Sequence, residues 1–239
     1  MKNLMIPALA LFLSAAAQAD DSPLWMRYCA ISPDGQTIAF SYQGDIYTVP
    51  SSGGKARQLT THPAHDTRPV WSPDGQRIAF ASNRSGNFDV FLMNKEGGEP
   101  KRLTTHSTNE YPTTFKDNGH ILYLANVLQD AKDIQFPGTR FMQVYEISTD
   151  GGRPDLYSSL YMENIALSKD GSKLLYNDYK GYEDPWRKHH QSSITRDIWL
   201  CTLGKDRSFQ KVTTFGGEDR NPVSVSYTHL RAHETELHL

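Results

Sequence analysis

The feature that most constrains this chain is a short turn sequence that keeps returning. Ser32-Pro33-Asp34-Gly35 precedes Gln-Thr-Ile-Ala-Phe, and Ser72-Pro73-Asp74-Gly75 precedes Gln-Arg-Ile-Ala-Phe. Lys116-Asp117-Asn118-Gly119 and Ser168-Lys169-Asp170-Gly171 precede similar apolar runs, and the four glycines lie 40, 44 and 52 residues apart. A second marker runs in phase: Asp45-Ile46-Tyr47, Asp89-Val90-Phe91, Gln143-Val144-Tyr145 and Asp197-Ile198-Trp199. A third is a Gly-Gly pair followed by Leu-Thr-Thr, at Gly53-Gly54 with Leu59-Thr60-Thr61 and at Gly97-Gly98 with Leu103-Thr104-Thr105. It recurs more loosely at Gly151-Gly152 with Leu156, and as Val212-Thr213-Thr214. A period of this length means one supersecondary unit used several times.

Each unit divides into four short strands. In the second unit the pattern predicts strands over Arg68 to Ser72, Arg77 to Ser82, Asp89 to Asn94 and Pro100 to Thr105. Pro-Asp-Gly and Gly-Gly between them are turn chemistry, because glycine enters positive φ without steric cost. Four antiparallel strands in about 40–45 residues describe a β-propeller blade. The expected fold is therefore all-β: an incomplete β-propeller with blades over about 25–62, 66–106, 109–159 and 162–214. A fifth blade starts at 218–224, where Glu218-Asp219-Arg220-Asn221-Pro222-Val223 parallels Ala64-His65-Asp66-Thr67-Arg68-Pro69-Val70. An array interrupted there leaves the flanks of its first and last blades in water.

Both ends of the chain read differently from the repeat. Lys2, the apolar run Leu4 to Leu13 and Ala17-Gln18-Ala19 form the three regions of a cleavable signal peptide over 1–19. This implies export to a periplasm, with no membrane span after cleavage. Residues 225–239 match nothing earlier and resemble one reading frame of a sequencing-library adapter, so His229, His233 and His238 are excluded from any site. The chain of 239 residues balances 25 Lys+Arg against 27 Asp+Glu, which argues against a nucleic-acid partner. At 38% hydrophobic and 22% charged it is not a disordered chain. Its two cysteines, Cys29 and Cys201, cannot frame a small disulfide scaffold and read as buried small hydrophobes.

The loops between second and third strands share one propeller face with the inter-blade connections. Units three and four carry long insertions there, roughly from Asn126 to Phe141 and from Tyr179 to Thr195. Loops of that length in a compact domain are usually functional. The candidate binding residues on this face are Arg68, Tyr111, Glu183, Trp186, Arg187, His189, His190, Arg196 and Arg220. Two readings stay open. Trp186 stacks on a peptide or partner while the arginines grip carboxylates, or Trp186 plugs the blade top and the charges are merely solvated. His189-His190 makes a poor metal site, since neighbours on an extended segment point opposite ways and no further ligand is spaced for it. No Gly-x-Ser-x-Gly elbow and no phosphate loop is present, so no catalytic residue, metal or cofactor is assigned. The aspartate of the Asp-Ile-Tyr marker reads as a strand-entry hydrogen-bonder.

The blade units resemble the TolB-type propeller repeat. The stretch Lys180-Gly181-Tyr182-Glu183-Asp184-Pro185-Trp186-Arg187-Lys188-His189-His190, running on to Arg196-Asp197-Ile198-Trp199, is similar to the tricorn protease-like serine peptidases, as are Pro23 to Tyr28 and Glu218 to Pro222. That resemblance implies the N-terminal propeller of a large exported peptidase, whose PDZ and tail-specific-protease domains would lie beyond this chain. It implies peptide or unfolded-protein substrates guided by the propeller, and a homo-oligomer as a further partner state. Two alternatives remain: a non-enzymatic TolB-like periplasmic protein-binding propeller, and the propeller of a prolyl-oligopeptidase-like enzyme.

Overall fold

The computed structural model describes residues 25–127, 142–180, 193–224 and 230–233, which form strands and turns with no helix. The expected signal peptide and most of the adapter-like tail lie outside the described residues. Four four-stranded antiparallel sheets follow one another along the chain. The first blade is β1 (Arg27–Ile31), β2 (Thr37–Tyr42), β3 (Asp45–Pro50) and β4 (Arg57–Gln58). The second is β5 (Asp66–Trp71), β6 (Arg77–Ser82), β7 (Asp89–Asn94) and β8 (Gly97–Arg102). The third is β9 (Glu110–Asp117), β10 (His120–Ala125), β11 (Gln143–Ser148) and β12 (Asp155–Ser158). The fourth is β13 (Met162–Leu167), β14 (Lys173–Asp178), β15 (Ile198–Thr202) and β16 (Ser208–Lys211). A further strand, β17 (Arg220–Ser224), pairs with β18 (Leu230–His233).

The first strand of each blade packs on the first strand of the next, from β1 to β5, β9, β13 and β17. The array is a β-propeller of four full blades with β17 in the first-strand place of a fifth. Its apolar residues fall into layers between blades. Ala39, Ile46 and Leu59 of blade one meet Ile78, Phe80, Phe91 and Met93 of blade two. Ala79, Val90, Leu92 and Leu103 then meet Phe115, Ile121, Tyr123 and Ile147 of blade three. Leu122, Leu124 and Val144 meet Met162, Ile165, Leu174 and Tyr176 of blade four. A blade between two others is covered on both faces, which is why β6 and β10 are nearly continuous buried runs.

The turn sequences work as their composition demands. Gly35, Gly75 and Gly171 each donate an N–H to the carbonyl of the serine three residues earlier, at 2.8, 2.8 and 2.9 Å. In blade two the Ser72 hydroxyl donates to Asp74 Oδ1 at 2.6 Å, the Gln76 N–H donates to the same oxygen at 3.0 Å, and Ser72 Oγ accepts the Arg77 N–H at 2.9 Å. The matching serine and backbone bonds hold Asp34 below the usual carboxylate range and lower Asp170 to about 2. Blade three lacks the serine, and there Asp117 takes the Gly119 N–H directly at 2.7 Å.

Two expectations need correction. Strand β8 runs Gly97–Arg102, three residues earlier than the spacing suggested, because Asn94 pairs directly with Gly97 across the turn. Leu103 and Thr104 then leave the ladder for the Val90 backbone, with Leu103 N–H to Val90 O at 2.8 Å and Val90 N–H to Thr104 Oγ1 at 2.9 Å. Cys29 is exposed rather than buried, since β1 is the first described strand of the array and no described blade covers its outer face. Ile31 is 60% exposed on the same strand. Cys201 is buried, and both thiols are free.

Gly97 shows how closely the blades approach. At φ +81° a Cβ there would lie 3.1 Å from the Leu59 carbonyl of blade one, whereas the equivalent Gly53, at φ +86°, faces open space. Both alanine variants carry left-handed strain of about 1–3 kcal/mol. Gly97→Ala should lower the urea midpoint clearly more than Gly53→Ala, and equal losses would contradict this packing.

Candidate functional site

The site starts from a backbone irregularity. In blades one, two and four, and in β17, the first strand carries one residue in the left-handed region: Tyr28 (φ 54°), Arg68 (φ 55°), Asn164 (φ 49°) and Asn221 (φ 55°). Each coincides with a slip in register, between Arg27 and Ala30, Thr67 and Val70, Glu163 and Ala166, and Arg220 and Val223. Such bulges turn a side chain away from the ladder. In blade three the matching position, counted back from the turn glycine, is Pro112, whose ring holds φ near −65°. Strand β9 slips twice instead.

The bulges set the side chains of blades one, two and three around an open pocket of about 440 Å³. The Arg68 guanidinium lies 4.3 Å from the Tyr111 ring centroid and 5.2 Å from that of Tyr28. Tyr111 packs on Phe88 at 5.4 Å, and the His65 ring meets the edge of Phe88 at 6.0 Å. Burial pushes the Tyr111 hydroxyl up, and Arg68 pulls it part of the way back. Arg27 also lines the pocket, and no lining residue among those described is Asp or Glu. A positive pocket walled by π-faces can stack an aromatic or proline side chain and attract a carboxylate. Its lining also carries the hydroxyls of Ser41 and Thr67 and the imidazole of His65.

Of the residues singled out from sequence, Arg68 and Tyr111 are thus brought together. Arg196 and Arg220 form a second group at the junction of blade four and β17. Arg196 is buried, with Nη1 2.6 Å from Glu218 Oε1, Nε 3.1 Å from Glu163 Oε2, and its guanidinium 4.8 Å from the Tyr179 ring. The Arg220 Nε–H donates to the same Glu218 oxygen at 2.7 Å. Both arginines are therefore neutralised from within the chain, and they fasten β17 to blade four. Glu183, Trp186, Arg187, His189 and His190 lie outside the described residues.

The marker aspartates and the Leu-Thr-Thr threonines form one device. Thr60, Thr104 and Thr213 accept the N–H of Ile46, Val90 and Ile198 at 3.0, 2.9 and 3.0 Å. Asp45 Oδ1 accepts the Thr60 hydroxyl at 3.0 Å. Sequence reasoning missed Tyr28 and Phe88 as pocket residues. Tyr28 was accessible from spacing, since it precedes Ser32 by the same interval as Arg68 precedes Ser72.

The fold defines a class, the β-propellers. More narrowly, the chain belongs to the family described as the tricorn protease N-terminal beta propeller domain, which matches residues 23–229. Tricorn protease homolog 1 of Streptomyces coelicolor is 34% identical over 71 residues, covering 30% of this chain and 6% of that protein. The crystal structure of the tricorn protease aligns with a TM-score of 0.64 at 18% identity, over 88% of this chain and 22% of the other. The putative TolB of Agrobacterium tumefaciens aligns with a TM-score of 0.57 at 23% identity, over 81% and 67%. At these identities the structural likeness speaks to the fold. The chain spans 6% to 13% of the length of four curated relatives it matches.

Glu218→Gln leaves the buried Arg196 and the half-buried Arg220 short of a counter-charge. The loss expected is about 2 kcal/mol in urea denaturation, below the range for fully buried pairs because Glu218 is partly solvated. An unchanged midpoint would show that the clamp does not hold β17.

Proposed function

We propose that this chain is the substrate-guiding propeller of an exported tricorn-like serine peptidase. It receives peptides or unfolded segments on the face that carries Arg68, Tyr111 and Tyr28. Peptide-bond cleavage belongs to a tail-specific peptidase domain, accompanied by a PDZ domain, elsewhere in the same protein. The observation that carries this reading is the family match across residues 23–229, together with a positive aromatic pocket on the face of the second-to-third strand loops. Export rests on the signal-like pattern of residues 1–19. The likeness to a putative TolB over 67% of that chain favours a second reading, a non-enzymatic periplasmic propeller that binds a folded envelope protein.

The 239-residue chain should bind a fluorescein-labelled unstructured peptide, read by anisotropy, and should not hydrolyse fluorogenic peptides. Arg68→Ala should weaken binding about tenfold, the worth of one desolvated cation–π and charge contact. Unchanged affinity would remove the pocket from the proposal, and hydrolysis abolished by a substitution within residues 25–224 would overturn it. Sequencing the reading frame across codon 224 separates the two readings. Continuation into PDZ and serine-peptidase domains supports the first, and a stop after the last blade supports the second.

A further inference from the structure

Three of the junctions share one backbone bond. The N–H of Asp66 donates to Gly44 O at 2.7 Å, that of Glu110 to Phe88 O at 2.7 Å, and that of Asp219 to Arg196 O at 3.0 Å. Each of these acids is buried at the entry to a new blade. Between blades one and two the charge is balanced, because Arg84 Nη2 donates to both Asp66 oxygens at 2.9 and 3.1 Å. Arg84 stands two residues beyond Ser82, the ladder partner of Asp66. Between blades two and three, Glu110 pairs with Ala125, and the residue two beyond it is Val127. The balancing cation of the first junction is replaced by an apolar side chain.

Glu110 is 1% exposed and Asp89 of β7 fully buried. Arg102 of β8 pairs with Asp89, its Nη2 2.8 Å from Oδ2, and among the described residues no ion pair reaches Glu110. Blade three adds the neutral hydroxyl of Tyr123 from β10, with Tyr145 of β11 stacked on it at 5.7 Å. The connection between β8 and β9 adds the Thr104 hydroxyl and the His106 backbone, which favour an ionised Glu110. Two buried carboxyls that hydrogen-bond to each other, with one guanidinium on Asp89 alone, need a proton to share. Phe88 and Tyr111 are the chain neighbours of Asp89 and Glu110, and both line the pocket.

We propose that Asp89 and Glu110 form a proton-operated lock between blades two and three, which sets the placement of Phe88 and Tyr111 in the pocket wall. With Glu110 protonated, the Asp89–Arg102 pair is balanced and the two carboxyls share a hydrogen bond. Loss of that proton sets a buried, unpaired Glu110 charge against that of Asp89 and drives the two strand entries apart. Burial and the Asp89 charge outweigh Thr104 and His106 and raise Glu110 to about 7, while burial also raises Asp89. An acid raised on folding binds its proton more tightly in the folded chain. The stability it contributes is therefore full below its unfolded value near 4.5, declines as pH rises toward 7, and levels off above that.

The experiment uses the 239-residue chain labelled with ¹³C at Glu and Tyr, titrated by NMR from pH 4.5 to 9, with Glu110→Gln as comparison. The Glu110 carboxyl should titrate with a midpoint near 7, and the Tyr111 ring signals should move with the same midpoint in the wild type and stay flat in the variant. A Glu110 midpoint in the ordinary range of about 4–5, or Tyr111 signals that ignore it, overturns the lock. Should Glu110→Gln not fold, wild-type urea midpoints from pH 5 to 8 decide. A fall across that range supports the lock, and a flat or rising profile overturns it. Only the effect on peptide rests on the proposed function. A lock that titrates while labelled-peptide affinity stays constant supports the lock and counts against peptide guiding at this pocket.

Discussion

The structure depends on how one blade is set against the next. No blade here is a domain in its own right. The apolar side chains form layers between sheets, so a blade without a neighbour has half a core. At the entries of blade two, blade three and β17 a backbone N–H, from Asp66, Glu110 and Asp219, also bonds to the loop before it. Because that bond lies beside the second-to-third strand loops, the residues that follow it reach the same face. The bulge at Arg68 and the ring of Tyr111 stand two residues and one residue after such donors, Asp66 and Glu110.

Much of this was legible in the sequence because the repeat is written in residues with direct backbone duties. Glycine is needed at the positive φ of the turns, aspartate gathers the turn N–H, and threonine accepts the N–H after the marker aspartate. Such residues leave a period even when the apolar positions drift. The outermost strands were the least readable. Strands β4, β8 and β16 are largely exposed, so no burial pattern marks their ends. The exposure of Cys29 could not be read from its strand pattern, because burial there depends on whether a blade covers β1.

At the site, Arg68 and Tyr111 could be placed on one face from topology, but their stacking could not. Tyr28 shares the bulge position with Arg68 and differs from it in chemistry, so a search by residue type passed it over. The roles of Arg196 and Arg220 depend on Glu218, a tertiary partner that spacing does not reveal. Glu110 shows the reverse case. Its unusual setting follows from one substitution in the repeat, Val127 where blade two has Arg84, visible only once ladder register aligns the two positions.

The central claim is that the array stands by docking each blade on its predecessor at these entries. Amide hydrogen exchange measured on the 239-residue chain tests this most directly. The account predicts that the N–H groups of Asp66, Glu110 and Asp219 exchange as slowly as those in the middle of β6 and β10. Exchange as fast as in the outermost strands β4 and β16 would show that the blades are held by something else.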